Sequence, residues 1–123
     1  MEPKFSFEID RPRGLIRITM AGFFTADDIR DFLKARDEAH RALGCAPNQH
    51  LTLNDIRGLA AQPQTIVDAF EEILAAPDKR SRRLAFVVAP TLARSQVLRA
   101  LCLREAKCFS DPALAEAWLS AAD

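Results

Sequence analysis

Leu84-Ala85-Phe86-Val87-Val88-Ala89 is an unbroken apolar run, closed by Pro90 and Thr91. A strand with one wet face alternates apolar and polar residues; a strand without polar positions needs cover on both faces. Residues 84–89 therefore read as a central strand with helices packed against the sheet. The basic run just before it, Lys79-Arg80-Ser81-Arg82-Arg83, reads as a solvated loop feeding that strand rather than as a phosphate contact.

Upstream, Phe5, Phe7 and Ile9 alternate with Ser6 and Glu8 in a half-buried strand. Arg11-Pro12-Arg13-Gly14 makes a turn, and Ile16, Ile18 and Met20 alternate with Arg17 and Thr19 in a second strand. The two predict an antiparallel hairpin. Thr25 then caps a helix, with Asp27 and Asp28 at its positive end and Asp28 at the position of a capping-box partner. Ile29, Phe32, Leu33, Arg36, Ala39 and Leu43 keep the helical period up to Gly44. His40 falls near the same face and reads as a packed or interface histidine. Residues 50–56 predict a short strand ended by Arg57-Gly58, with Leu51 and Leu53 alternating with Thr52 and Asn54. Ile66, Phe70, Ile73 and Leu74, with Val67 alongside, mark a second helix, with Asp68, Glu71 and Glu72 outward.

Downstream, Thr91 opens a third helix carrying Leu92, Val97, Leu98, Leu101 and Cys102. Residues 107–110 are a candidate last strand. Asp111-Pro112 starts a final helix, with Leu114, Ala117 and Trp118 as its inner face. The order β-β-α-β-α-β-α-(β)-α predicts a single α/β domain over residues 1–123, with a mixed sheet of four or five strands covered by helices.

Composition bounds the function. The 123 residues carry 17 Lys+Arg and 17 Asp+Glu, so the formal charge is zero, which argues against a nucleic-acid binder. No apolar run is long enough to span a membrane, and the amino-terminal residues lack a signal core. The unclustered Cys45, Cys102 and Cys108 fit a reduced cytoplasmic protein, with the latter two as buried thiols. Cys45 and His50 lack further ligands at a zinc spacing, so no metal or cofactor is expected.

Four segments carry a resemblance. They are Gly22-Phe23-Phe24-Thr25-Ala26-Asp27-Asp28-Ile29, Leu53-Asn54-Asp55-Ile56-Arg57, Leu84-Ala85-Phe86-Val87-Val88, and the tail from Phe109-Ser110-Asp111 to Trp118-Leu119. The tail matches an F-x-D-x-x-x-A-x-x-W-L ending. In this order the segments resemble the SpoIIAA-like proteins, relatives of the STAS domain with a likeness to CRAL-TRIO lipid-binding domains. The resemblance implies a mixed sheet with helices packed on it. STAS domains that antagonise anti-sigma factors carry a phosphorylated Asp-Ser-x-Gly stretch after the third strand. Here Asp55 is followed by Ile56-Arg57-Gly58-Leu59, without that serine. Thr65, the nearest hydroxyl, reads as a first-turn helix residue rather than a phosphosite.

Ligands of open parallel sheets meet the loops at the carboxyl ends of strands. Two such loops are predicted, one with Asn54, Asp55 and Arg57, the other with Thr91 and Arg94. Asp55 and Arg57 can receive a polar headgroup or a partner's charge, or simply satisfy each other locally. Thr91 with Arg94 can hold an anion or form a plain helix cap. No glycine-rich phosphate loop, nucleophile elbow or HExxH occurs, and Glu71-Glu72 diverge on their helix. The expectation is a non-enzymatic binding module, for a protein partner or self-association. The alternative is a small-molecule or lipid-binding domain, with an apolar pocket between sheet and helices to which Phe23-Phe24 contribute.

Overall fold

A computed structural model describes residues 4–44, 49–60, 62–75, 81–89 and 107–121. β1 (Phe5–Asp10) and β2 (Leu15–Gly22) are joined by a 3-10 turn over Arg11–Arg13. The turn closes on Gly14 at φ 61°, a left-handed backbone that glycine adopts without penalty. α1 (Ala26–Leu43), β3 (Leu51–Leu59), α2 (Gln64–Ala75), β4 (Arg83–Val87), β5 (Lys107–Phe109) and α3 (Pro112–Ser120) follow. The five strands form one sheet in sequential order. β1 and β2 are antiparallel, as their hairpin predicts; every later neighbour pair is parallel.

Parallel neighbours need crossovers, and α1 and α2 supply the first two. Each crossover moves one strand in the same direction, so a common hand puts both helices on one face. Ile16, Ile18, Met20, Ile56, Leu84 and Phe86 meet Ile29, Phe32, Ala39 and Ile66 there. The other face carries Leu15, Leu51, Leu53, Ala85 and Val87, covered by Ala115 and Leu119 of α3. β4 is thus buried on both sides, which is why its sequence has no polar alternation. The third helix expected from Thr91, with Leu92, Val97, Leu98, Leu101 and Cys102, lies outside the described residues, as do Cys45 and the side chain of Leu74.

The predicted helix caps form. Thr25 Oγ1 accepts from the Asp28 N–H at 3.2 Å, and Asp28 Oδ2 accepts from the Thr25 N–H at 2.8 Å. Aspartate is shorter than the usual glutamate, yet it closes the box and also receives Lys4 Nζ at 2.6 Å. Lys4 and Thr25 together hold the Asp28 carboxyl below the usual carboxylate range. At the far end Gly44, at φ 76°, donates its N–H to His40 O. The Asp111 carboxylate accepts from the Ala113 N–H at 2.9 Å and caps α3.

Two expectations are corrected. The inner face of α3 is Ala115 and Leu119 with Trp118 at its border; Leu114 and Ala117 point outward. Trp118 lies against Phe109 with Arg83 over its ring, while Arg17 Nη2 donates to Glu116 at 2.6 Å. These contacts fix the rotation of a helix that is apolar nearly all round. The second correction concerns β3. It runs on to Leu59, so residues 57–59 are strand rather than its end. Thr52 and Asn54 alternate with Leu51 and Leu53 as expected and lie on the α1/α2 side, since both faces of this central strand are covered.

Candidate functional site

The parallel strands release the chain at one end of the sheet. β2 ends at Gly22, whose φ of 76° turns the backbone sharply. The next two residues diverge: Phe24 enters the core, while Phe23 is 61% exposed. The buried side chain of Gln62, just after β3, ties the two crossover entrances together. Its Oε1 accepts from the Phe24 N–H at 2.9 Å, and its Nε2 donates to Gly22 O at 2.9 Å and Ala60 O at 2.5 Å. Both polar atoms of that buried amide thereby pair with backbone, and Gly22 O accepts from the Ala60 N–H as well.

Asp55 and Arg57 approach this end from within β3 rather than from a loop. Asp55 pairs with Thr19 on β2 and Val87 on β4. Between Asp55 and Gly58 the register against β2 shifts by one residue. The bulge reverses the alternation, so Leu59 joins the α1/α2 core. The Arg57 N–H donates to Asp55 Oδ1 at 3.2 Å. The Arg57 guanidinium adds a fork, Nε to Oδ1 at 3.0 Å and Nη2 to Oδ2 at 2.7 Å. Burial pushes the Asp55 carboxyl up, but the Arg57 hydrogen bonds and charge outweigh it and leave the carboxyl below its ordinary range. Asp55 raises Arg57 in turn, through its hydrogen bonds and its charge, and the nearby Asp111 adds a smaller push.

Asn54 sits one residue earlier, on the opposite face, between Ile18 and Phe86. Its Oδ1 is buried with no hydrogen-bond partner among the described residues. Asn54 is therefore separated from Asp55 and Arg57 by the thickness of the sheet, although the three are nearly adjacent in sequence. Thr65 is exposed in the first turn of α2, as expected. Thr91 and Arg94 lie outside the described residues. α3 begins at the same end of the sheet, and its Leu114 is 58% exposed. Phe23 and Leu114 are the two large apolar side chains found exposed among the described residues.

A second polar cluster lies at the opposite, amino-terminal end of the parallel strands. His50 is 1% exposed, its Nε2 3.2 Å from Ser81 Oγ, and Ser81 Oγ is 2.5 Å from Thr52 Oγ1. The His40 ring lies edge-on to His50, with centroids 4.5 Å apart. Ser81 and Thr52 are buried too, so the cluster satisfies its own polar atoms inside the protein. Sequence reading brought none of these four together; the alternation at Thr52 was its one available signal. Among the described residues no group of three His, Cys, Asp or Glu is placed to hold a metal, and no helix is long and apolar enough to cross a membrane. Cys108 is half-buried and forms no disulfide.

No protein-family model matches the chain, and no curated protein matches it. Among solved structures it is similar to an uncharacterised protein of the DUF3478 family from Shewanella loihica PV-4, which has a SpoIIAA-like fold. The TM-score is 0.72 at 19% identity, over 94% of this chain and 93% of that one. The mixed five-stranded sheet described above is accordingly a SpoIIAA-like fold.

Proposed function

We propose that this chain is a non-enzymatic, cytoplasmic binding module of the SpoIIAA/STAS type, acting through a regulatory protein partner. The partner docks at the carboxyl end of the parallel strands. The observation that carries this reading is the exposure of Phe23 and Leu114 at that end of the sheet, toward which β3 also carries the half-exposed Arg57. Exposed apolar surface that gathers at one end of a fold marks an interaction site. Aromatic residues and arginine are the types that most often anchor protein interfaces. Arg57 is held in place by Asp55, so it meets a partner preorganised.

Native mass spectrometry of gently purified protein is the first test. A mass free of small molecules is expected; a retained compound, released on denaturation, supports the alternative of an apolar-ligand or lipid carrier. Affinity capture from the source cells follows, with wild type beside Phe23→Ser/Leu114→Ser and Arg57→Ala. A partner held by wild type and lost by the variants is the expected result. Capture that both variants leave unchanged overturns the docking site.

A further inference from the structure

Among the described residues β1 is an edge strand, with β2 as its one neighbour. The hydrogen bond from the Ala21 N–H to Lys4 O, 2.8 Å, fixes which backbone groups β2 uses. Lys4 lies opposite Ala21 by the register, so the even-numbered residues Ser6 and Glu8 also turn their N–H and C=O toward β2. Phe5, Phe7 and Ile9 therefore direct theirs to the open edge. The same three side chains line a groove of about 390 Å³ between β1 and α1, with Ala35, Glu38, Ala39 and Ala42 on its helix wall. An unpaired edge beside an apolar groove is a template for a further strand.

The charges along β1 favour the same strand, reversed, as that addition. Lys4 stands just before one end and Glu8 toward the other; the Lys4 ammonium, already on Asp28 at 2.6 Å, keeps further N–H donors for a second carboxylate. Antiparallel pairing centred on Ser6 sets Lys4 opposite Glu8 of the second copy, and Phe5 opposite its Phe7. Both like-charge and bulky–bulky conflicts at the axis are avoided, because Ser6 faces Ser6. Centring on Phe7 would instead offer Lys4 to Asp10, whose carboxylate already lies near Arg13 and Arg17 at 3.7 and 3.5 Å. The Glu8 side chain is 74% exposed, and among the described residues its one ion pair is with Arg17, at 3.5 Å. It has the freedom to turn to a new lysine.

We infer that β1 is the seam of a two-fold homodimer, in which Lys4–Glu8 of two copies pair antiparallel about Ser6 and join the two sheets. Phe5 and Phe7 of the second copy exchange backbone hydrogen bonds in the pairs where the edge is free. Their rings close the groove beside α1, and the alanines on its wall leave room for the second copy's helix. This seam is separate from the protein-docking end proposed above, and each stands or falls without the other.

Light scattering on the wild-type chain at about 100 μM, far above the Kd of a stable dimer, should give twice the 13.7 kDa chain mass. Glu8→Lys and Lys4→Glu should each be monomeric, because each makes the seam like-charged. An equimolar mixture should recover a heterodimer. Ser6→Cys reads the register directly. At a non-hydrogen-bonded position on the axis its two Cβ atoms lie about 5 Å apart, so mild oxidation should cross-link it, while wild type stays uncross-linked. That variant also decides the matter if Lys4→Glu, which removes the contact to Asp28, fails to fold. A wild-type monomer, a dimer indifferent to both charge reversals, or a dimer in which Ser6→Cys does not cross-link overturns the seam.

Discussion

Asp28 shows how much one short side chain carries. Its carboxylate completes the cap of α1 and receives Lys4 from the start of the sheet, so it ties the first helix to the first strand. Its pKa is lowered in the folded chain, by Lys4 first and by Thr25 next. A depressed carboxyl stabilises the fold above its unfolded pKa, and that contribution is lost as pH falls through the folded value. The stability advantage of wild type over Asp28→Asn should therefore be full above about pH 5 and shrink at lower pH. Urea midpoints measured across that range check it; an advantage constant with pH contradicts the assignment. The capping role was legible because caps are local, with Thr25 three residues from Asp28. The bond to Lys4 was not, since it spans 24 positions and depends on where the hairpin lies over α1. Gln62 was illegible for the same reason: its amide joins backbone from two crossovers, and no periodicity marks such a residue.

Elements were read well where one face is apolar and badly where both are. The first hairpin and α1 alternate cleanly, and they fold as their patterns predict. α3 has only Glu116 and Ser120 as polar members after its proline, so its sequence allows several inward faces. The face was selected by contacts far away in the chain, Arg17 with Glu116 and Arg83 with Trp118. β3 was cut short for a different reason. Gly58 looks like a terminator, but β3 runs through it closely past Ala21: a Cβ there would stand 3.1 Å from Ala21 Cβ. Gly58→Ala should lose about 1–3 kcal/mol through this overpacking. Ala21→Gly in the same chain should restore part of that loss, since it removes the opposing methyl. A double-mutant cycle by denaturant unfolding measures the coupling; additive effects would place the strain elsewhere.

At the scale of the whole molecule, the described residues cover the two faces of the sheet unequally. α1 and α2 share one face, whereas among the described residues α3 is the one helix on the other. Leu119, 1% exposed, is its largest fully buried side chain. Leu119→Ala should therefore cost about 2–5 kcal/mol, a cavity-forming loss. Leu114→Ala on the same helix should stay within about 0.5 kcal/mol of wild type. Equal thermal shifts for the two would mean that α3 is seated the other way round. The mixed sheet was legible from the order of strands and crossovers, and the double cover of β4 from its unbroken apolar run. Which end or edge binds was not, because Phe23 and Phe24 are identical neighbours with opposite fates. The unequal cover also has a consequence for biosynthesis. Translation delivers α3 after every strand it shields. A nascent chain that has already paired β2, β3 and β4 still lacks the cover that α3 gives to Leu15, Leu51, Leu53 and Val87. Until α3 leaves the ribosome, that half-clad sheet is the species for chaperones to guard.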